Sequence, residues 1–414
     1  MHTLAHDTAL VLVMVGLPAR GKTFMARKIA RYLNWLGVTS RVFNVGNYRR
    51  HYLGSAQPAT FFDPKNPEGF DKRRQMAMAA LDDLLTWLKD QAGRAVAIYD
   101  ATNVTRQRRQ WLRQQLANHG IEPVFVESMS SDRGLIEHNI RQTKLSMPDY
   151  ANVEPEEAVR DFRERIAHYQ SAYEPVDVDE GPHVKVIDVG ERVNLHRIHG
   201  SLLSRIVFFL MNLHIVPRPV FLTRHGESDF NVQGRLGGDP DLTARGRSFA
   251  RDLAQFFTQR LAEPPIVFTS TLKRARQTAE ALPFEVNSIK NLDEIDAGVC
   301  DGWTYADMME RLPEEYASRQ ADKLRYRYPR GESYEDVIQR LDPVIIEVER
   351  QRSPVIIVAH QAVIRCLYGY LTDQALETSP HLAVPLHTVT ELVPRAYGAG
   401  ESRTSFIVPD RPLG

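Results

Sequence analysis

Residues 10–23 read Leu-Val-Leu-Val-Met-Val-Gly-Leu-Pro-Ala-Arg-Gly-Lys-Thr, and they decide the fold of the first half of the chain. The apolar run from Leu10 to Val15 suits a central parallel strand covered on both faces. It passes directly into Gly16-Leu17-Pro18-Ala19-Arg20-Gly21-Lys22-Thr23, which fits the G-x-x-x-x-G-K-[ST] phosphate loop. Met25, Ile29, Leu33 and Leu36 then recur at helical spacing, and Gly37 ends the helix. In such a loop the glycines let successive backbone N–H groups turn inward around phosphate oxygens, and the helix adds its positive N-terminal end, which makes Gly16, Ala19, Arg20 and Gly21 candidates for the nucleotide site. Lys22 can then reach the β- and γ-phosphates of ATP, while the Thr23 hydroxyl can ligand Mg²⁺.

Working outward, further strands are expected at Arg41 to Val45, Ala95 to Tyr99, Val124 to Glu127 and Lys185 to Val189. Helical patterns lie between them at Phe70 to Gln91, Thr105 to His119 and Pro155 to Tyr173. This alternation implies a doubly wound parallel α/β sheet. The strand at Ala95 ends in Asp100-Ala101-Thr102-Asn103. Asp100 can serve Mg²⁺ through water or receive a proton from the acceptor hydroxyl, and Thr102 or Asn103 can equally cap the next helix. Arg49 and Arg50, the Lys72-Arg73-Arg74 run, and Arg165 with Tyr169 are candidates for an acceptor that already carries a phosphate, since Arg pairs bidentately with phosphate.

The 414 residues exceed one ordinary core, so two domains are expected, 1–215 and 216–414. Basic and acidic residues cancel at 52 each, which argues against a general nucleic-acid or membrane surface and leaves anion binding to local clusters. Cys300 and Cys366 cannot build a disulfide framework and fit a reducing cytoplasm as small core residues. Arg20 and Lys22 interrupt the first apolar run, so no signal peptide is expected, and the run around Val207 to Met211 is too short to span a bilayer. Arg192 to His214 reads as a mainly helical connector ending near Val216.

The second half opens with Pro219-Val-Phe-Leu-Thr-Arg-His-Gly-Glu-Ser228, a short apolar strand that delivers Arg224 and His225 to its C-terminal edge. Two more strands end in the same way. Ile266 to Ser270 leads to Arg274 in the first turn of a helix, and Val355 to Ala359 leads to His360. Together these ends make a cationic pocket for a phosphoryl group around one imidazole able to act as nucleophile. Glu294 offers a proton for the departing alkoxide, because a carboxyl held beside anionic phosphate keeps its proton. No Asp-x-His or paired-carboxylate cluster accompanies the histidines, which disfavours a metal-dependent phosphatase. Lys323 to Ser333 alternates basic and aromatic residues. A second, substrate-phosphate site explains the interleaving better than single-stranded nucleic acid, with a solvated β-edge as the bland alternative.

Taken in order, these motifs closely resemble the bifunctional 6-phosphofructo-2-kinase/fructose-2,6-bisphosphatase family over nearly the whole length. The likeness rests on the phosphate loop, Asn-x-Gly-x-Tyr-Arg-Arg at Asn44, Asp-Ala-Thr-Asn at Asp100 and Asn-Ile-Arg-Gln-x-Lys at Asn139. In the second half it rests on Arg-His-Gly-Glu-Ser at Arg224, Glu-Ile-Asp-Ala-Gly-Val-Cys at Glu294, Arg-Tyr-Arg-Tyr-Pro at Arg325 and His-Gln-Ala-Val at His360. The resemblance implies a P-loop kinase-type sheet followed by a histidine phosphatase (phosphoglycerate mutase-like) α/β domain. It implies transfer of the γ-phosphoryl of ATP, with Mg²⁺, to O2 of fructose 6-phosphate, and hydrolysis of fructose 2,6-bisphosphate through a phosphohistidine without a cofactor. It further implies that Arg73, Thr102, Arg165 and Tyr169 hold the sugar phosphate and that Asn139 and Lys144 serve nucleotide or substrate. In the second half His225 becomes the phosphohistidine and Glu294 the proton donor. Asn231, Gly237, Tyr305, Arg325, Arg330, Gln361 and Arg365 match family substrate contacts. Family members are often dimers through their kinase halves, so a homodimer is expected. One departure is Asp301-Gly302-Trp303, where the family tends to have acidic residues.

Two rival readings keep the motifs but change the conclusion. One is a phosphate-loop kinase for a different acceptor fused to a general phosphatase. The other is an ATP-sensing half, without transfer, that gates the phosphatase.

Overall fold

The computed structural model describes residues 9–55, 57–141, 148–150, 153–188, 190–214, 218–394 and 398–407, so Lys144 lies outside the described residues. The chain divides into two compact units, Met1–Ile215 and Val216–Gly414.

In the first unit the strands are β1 (Ala9–Val15), β2 (Thr39–Asn44), β3 (Ala95–Asp100), β4 (Val124–Met129), β5 (His183–Ile187) and β6 (Arg192–His196). They form one sheet in the order β2-β3-β1-β4-β5-β6. All neighbours are parallel except β5 and β6. Val11 to Val15 are fully buried, as a strand covered on both faces requires. Val11, Val13 and Val15 pack with Leu81, Leu84 and Leu88 of helix Pro67–Lys89 and with Leu112 and Leu116 of helix Arg106–Ala117. Each fully buried Leu contributes roughly 1.5–3 kcal/mol.

Three local expectations change. Arg192–His196 is a strand, so the connector becomes helical only at Ser201–Asn212. Its edge position leaves most of its side chains exposed, and pairing through the backbone leaves little apolar signal in the sequence. The strand at Arg41 stops at Asn44, because the Asn44 side chain accepts from Asn47 N and caps helix Val45–Leu53. The fifth strand is His183–Ile187, and Val189 lies outside the described residues.

In the second unit β7 (Val220–Arg224), β8 (Ile266–Thr269), β9 (Val286–Ser288), β10 (Val355–Ala359), β11 (Thr388–Pro394) and β12 (Ala399–Ser405) take the order β12-β11-β7-β10-β8-β9. The β7, β10, β8 and β9 neighbours are parallel, and β11 and β12 extend the sheet antiparallel. Phe221, Val267, Ile356 and Val358 meet Phe249, Leu253 and Phe257 of helix Ala244–Arg260. Register places the strand ends level, with Ala359 beside Arg224 and Val358 beside Thr269. Among the described residues no helix is long and apolar enough to cross a membrane.

Candidate active sites

The loop after β1 has the conformation its glycines allow. Gly16 lies at φ 131°, Gly21 at 79° and Ala19 at 61°, so the chain turns through regions that side chains disfavour. A Cβ on Gly16 would lie 2.4 Å from the carbonyl oxygen of Ser128. Gly16 N donates to Thr102 O at 2.9 Å, and Asn103 Nδ2 donates to Met14 O at 2.8 Å. The segment after β3 is thereby tied to the loop. Neither Thr102 nor Asn103 caps the next helix; Thr105 does. Lys22 Nζ donates to Leu17 O at 2.5 Å, Arg20 Nε to Ser130 O at 3.1 Å, and Asn139 Nδ2 to Ala19 O at 3.1 Å. Thr23 lies in the first turn of helix Lys22–Trp35. Asp100 is buried at the end of β3, where Asn44 Nδ2 donates to its Oδ2 at 2.5 Å.

Arg49, Arg73 and Arg165 gather around a short turn, Ala59–Phe62, that carries no periodic signal in the sequence, whereas Lys72 pairs with Glu68 at 2.7 Å on an exposed face. The Arg165 guanidinium stands 3.8 Å from the Phe62 ring centroid, Arg49 5.5 Å from it, and the Tyr169 ring 6.0 Å. Arg73 donates to the Phe61 carbonyl and lies 5.8 Å from the Phe61 ring. The guanidinium of Arg49 is bound through one nitrogen to both oxygens of Asp149 (2.7 and 2.8 Å), which Arg50 also reaches at 3.3 Å. Arg165 donates to the Tyr150 hydroxyl at 3.0 Å. Two buried arginines are thus held side by side on aromatic faces, with, among the described residues, the Asp149 carboxylate on one of them.

In the second unit the level strand ends bring the imidazoles together. The rings of His225 and His360 have centroids 5.0 Å apart, and both residues are buried. His225 Nδ1 lies 2.7 Å from Gly226 O, an acceptor, so Nδ1 carries the hydrogen and Nε2 holds the lone pair. Arg274 Nε donates to that Nε2 at 3.1 Å and its Nη1 to Gly238 O at 2.7 Å. Burial first, then Arg274 and Arg224, hold His225 well below the ordinary imidazole pKa. Burial, Arg274, His225 and Arg224 do the same to His360. Both rings are therefore neutral at pH 7, as a nitrogen nucleophile requires. Burial draws Arg224 down to about 10 against the pull of Glu294, which still leaves it charged. The Glu294 side-chain oxygens accept from the backbone N–H groups of Ile295 (3.0 Å), Gln361 and Ala362 (both 3.1 Å). The carboxyl group is thereby fixed at the start of helix Gln361–Thr372.

One cavity opens over this chemistry. Arg224, His225, Arg274, Glu294, Gln361 and Arg365 line it, as do Asn231, Gly237 and Tyr305. Arg325 and Arg330 do not line it. Both are exposed, and Arg325 pairs with Asp322 at 3.2 Å and Glu335 at 3.4 Å. The basic–aromatic run is no β-edge. Tyr326 N donates to Asp322 O at 2.8 Å and the segment begins as a turn, yet the alternation persists, with Arg325 and Arg327 exposed and Tyr326 and Tyr328 lining the cavity. The cations that do line it beyond the expected set are Arg235, which donates to Gly302 O at 2.7 Å, Arg319 and Lys323. Arg319 donates to the hydroxyls of Tyr328 (2.8 Å) and Tyr305 (2.7 Å). Lys323 donates to Pro380 O at 2.8 Å, and burial together with Arg365 and Arg319 brings its pKa down to about 8. Neither comes after an apolar strand, so the strand-end signal could not find them. Lys323 did open the interleaved run. The departing Asp301 accepts from Gly238 N at 2.7 Å and so braces the Gly237–Gly238 wall.

Comparison with known proteins agrees with this geometry. A family model described as 6-phosphofructo-2-kinase matches residues 1–217, and one described as the histidine phosphatase superfamily (branch 1) matches residues 220–404. The chain is 49% identical over 391 residues to a 6-phosphofructo-2-kinase/fructose-2,6-bisphosphatase of Gallus gallus, covering 94% of this chain and 83% of that one. It is equally 49% identical over 391 residues to 6-phosphofructo-2-kinase/fructose-2,6-bisphosphatase 4 of Homo sapiens, with the same coverage of 94% and 83%. To the human protein numbered 1 it is 47% identical over 395 residues, covering 95% and 83%.

Proposed function

Because the chain belongs to the 6-phosphofructo-2-kinase/fructose-2,6-bisphosphatase family, we propose a division of labour between its two units. Met1–Ile215 makes fructose 2,6-bisphosphate from ATP and fructose 6-phosphate, and Val216–Gly414 hydrolyses it. The observation that carries the reading is Arg274 on the lone-pair nitrogen of His225, with His360 5.0 Å away, on the chain that also bears an intact phosphate loop.

In the first unit the loop N–H groups, Lys22 and Asn139 hold the nucleotide, and Arg73, Thr102, Arg165 and Tyr169 hold the sugar phosphate. Thr23 and Asp100 offer oxygen donors of the class Mg²⁺ prefers, and the ion would neutralise charge on the transferring phosphates. In the second unit His225 Nε2 attacks the 2-phosphoryl group and the bond from phosphorus to O2 breaks. Glu294 gives its proton to the departing O2. Water then attacks phosphorus, the N–P bond breaks, and Glu294 takes the proton from water. Arg224, Arg274 and His360 stabilise the equatorial oxygens in both steps. Arg319, Lys323 and Arg365 hold the 6-phosphate in the same cavity. A homodimer and a cytoplasmic location complete the proposal, with analytical ultracentrifugation as the check on assembly.

Lys22→Ala should remove kinase activity and spare the phosphatase, and His225→Ala should do the reverse. Substrate labelled at the 2-phosphate should leave an acid-labile, alkali-stable label on the wild type and none on His225→Ala. If either single change abolished both activities, the division of labour would be wrong.

A further inference from the structure

The phosphatase reaction uses His360 but leaves unexplained the hydroxyl and carboxylate behind it. Ser270, fully buried just past β8, places its Oγ 2.8 Å from His360 Nε2 and donates to Asp293 Oδ1 at 2.7 Å. Asp293 is also buried and accepts from Thr271 N and Oγ1, both at 2.8 Å, and from Lys290 Nζ at 2.6 Å. A carboxylate only accepts, and as a charged acceptor it wins the single Ser270 proton over a neutral imidazole. Ser270 Oγ is then left to accept, from Leu272 N at 3.1 Å and from His360. His360 must therefore carry its hydrogen on Nε2. Its Nδ1, buried and without a hydrogen-bond partner among the described residues, holds the lone pair.

We propose that Ser270 and Asp293 are positioning residues for the phosphatase reaction, fixing the Nε2–H tautomer of His360 so that Nδ1 faces the transferring phosphoryl group. The proposal deepens the phosphohistidine reading and rests on it. While Nδ1 is a bare lone pair, it repels a phosphoryl oxygen. Once it binds a proton it becomes a donor, and the positive ring is then stabilised from behind through Nε2–H, the Ser270 hydroxyl and the Asp293 carboxylate. The charged and titratable groups that act most strongly on His360 from other elements are Arg274, His225, Arg224 and Arg340, and Glu294 accepts from the N–H groups of the next two residues. In the free enzyme the three arginines oppose that protonation, and the incoming phosphate charge offsets them. Although burial pushes Asp293 upward, Lys290, Ser270 and Thr271 hold it below the usual carboxylate range, so it remains the anion this arrangement needs.

The test is a two-bond ¹H–¹⁵N spectrum of the full chain labelled at histidine nitrogen, with the His360 signal assigned by its loss in His360→Gln. The unliganded wild type should show the Nε2–H pattern at His360. Ser270→Ala should lose that pattern and drop phosphatase kcat by roughly 10- to 100-fold, with KM nearly unchanged and kinase activity intact. Asp293→Asn keeps an acceptor oxygen for Ser270, so it should keep the tautomer while the alkaline limb of the kcat–pH profile moves to lower pH. A wild-type spectrum with Nδ1–H and a bare Nε2 would overturn the proposal, and it needs no variant to fold. So would a Ser270→Ala enzyme with unchanged tautomer and unchanged kcat. Because the tautomer is read without turnover, its failure is distinct from failure to find label on His225.

Discussion

Arg274→Ala is the most informative single change in the phosphatase unit. In the free enzyme Arg274 Nε–H covers the lone pair of His225 Nε2 at 3.1 Å, the same lone pair that must attack phosphorus. On substrate entry the donor has to leave Nε2 and turn to a phosphoryl oxygen, while Nη1, 2.7 Å from Gly238 O in the free enzyme, serves as a pivot. A donor aimed at developing oxyanion charge is worth about 2.7–4 kcal/mol. The covering hydrogen bond that is given up costs about 1 kcal/mol. The difference, ~1.7–3 kcal/mol, predicts a fall in kcat/KM of roughly 20- to 160-fold. A second effect has a definite sign. Arg274 is one of the groups holding the His225 pKa down, so without it the imidazole protonates at higher pH and the acid limb of the rate profile moves upward. The assay is release of inorganic phosphate from fructose 2,6-bisphosphate between pH 5 and 9, with rapid-quench measurement of the phosphoenzyme. A kcat/KM within threefold of wild type, with an unmoved acid limb, would refute the placement of Arg274 on the nucleophile.

Other changes probe separate parts of the molecule. Gly16→Ala would drive a Cβ to 2.4 Å from the Ser128 carbonyl at a φ of 131°, so kinase activity should fall at least tenfold with phosphatase activity retained, as paired assays would show. Arg319→Ala should raise phosphatase KM about tenfold or more by removing a cavity cation held on two tyrosines, whereas Arg325→Ala, exposed and paired with Asp322, should change it less than twofold. His225 and His360 titrate below the unfolded imidazole value of about 6.5, so the unfolded chain binds more protons than the folded one as pH drops. The stability they confer is present above about pH 6.5 and is lost progressively below it. Calorimetry should show a smaller fall in Tm from pH 7.5 to 5.5 for His225→Gln/His360→Gln than for wild type, and an equal fall would contradict the burial argument.

How local each signal is decides which parts of this protein are legible in its sequence. The phosphate loop is a contiguous run whose glycines, lysine and hydroxyl act within one turn, so Gly16 to Thr23 announced both a strand and a helix. Arg224, His225, Arg274 and His360 were legible for a related reason. Each comes at or just after the end of a short apolar run, and parallel strands deliver the residues at their C-terminal ends to one edge. Tertiary packing decided the rest. Phe61 and Phe62 sit in a single tight turn with no periodicity, and only the fold sets them under Arg49, Arg73 and Arg165. Arg319 and Lys323 reach the cavity from a helix and a loop, while Arg325 points outward to Asp322, because the alternation from Leu324 to Tyr328 turns its tyrosines inward and its arginines to solvent. The chain's own order thus determined which chemistry it carries. Which cations meet the substrate depended on long-range packing, since side-chain direction is set by backbone turns that distant contacts hold in place.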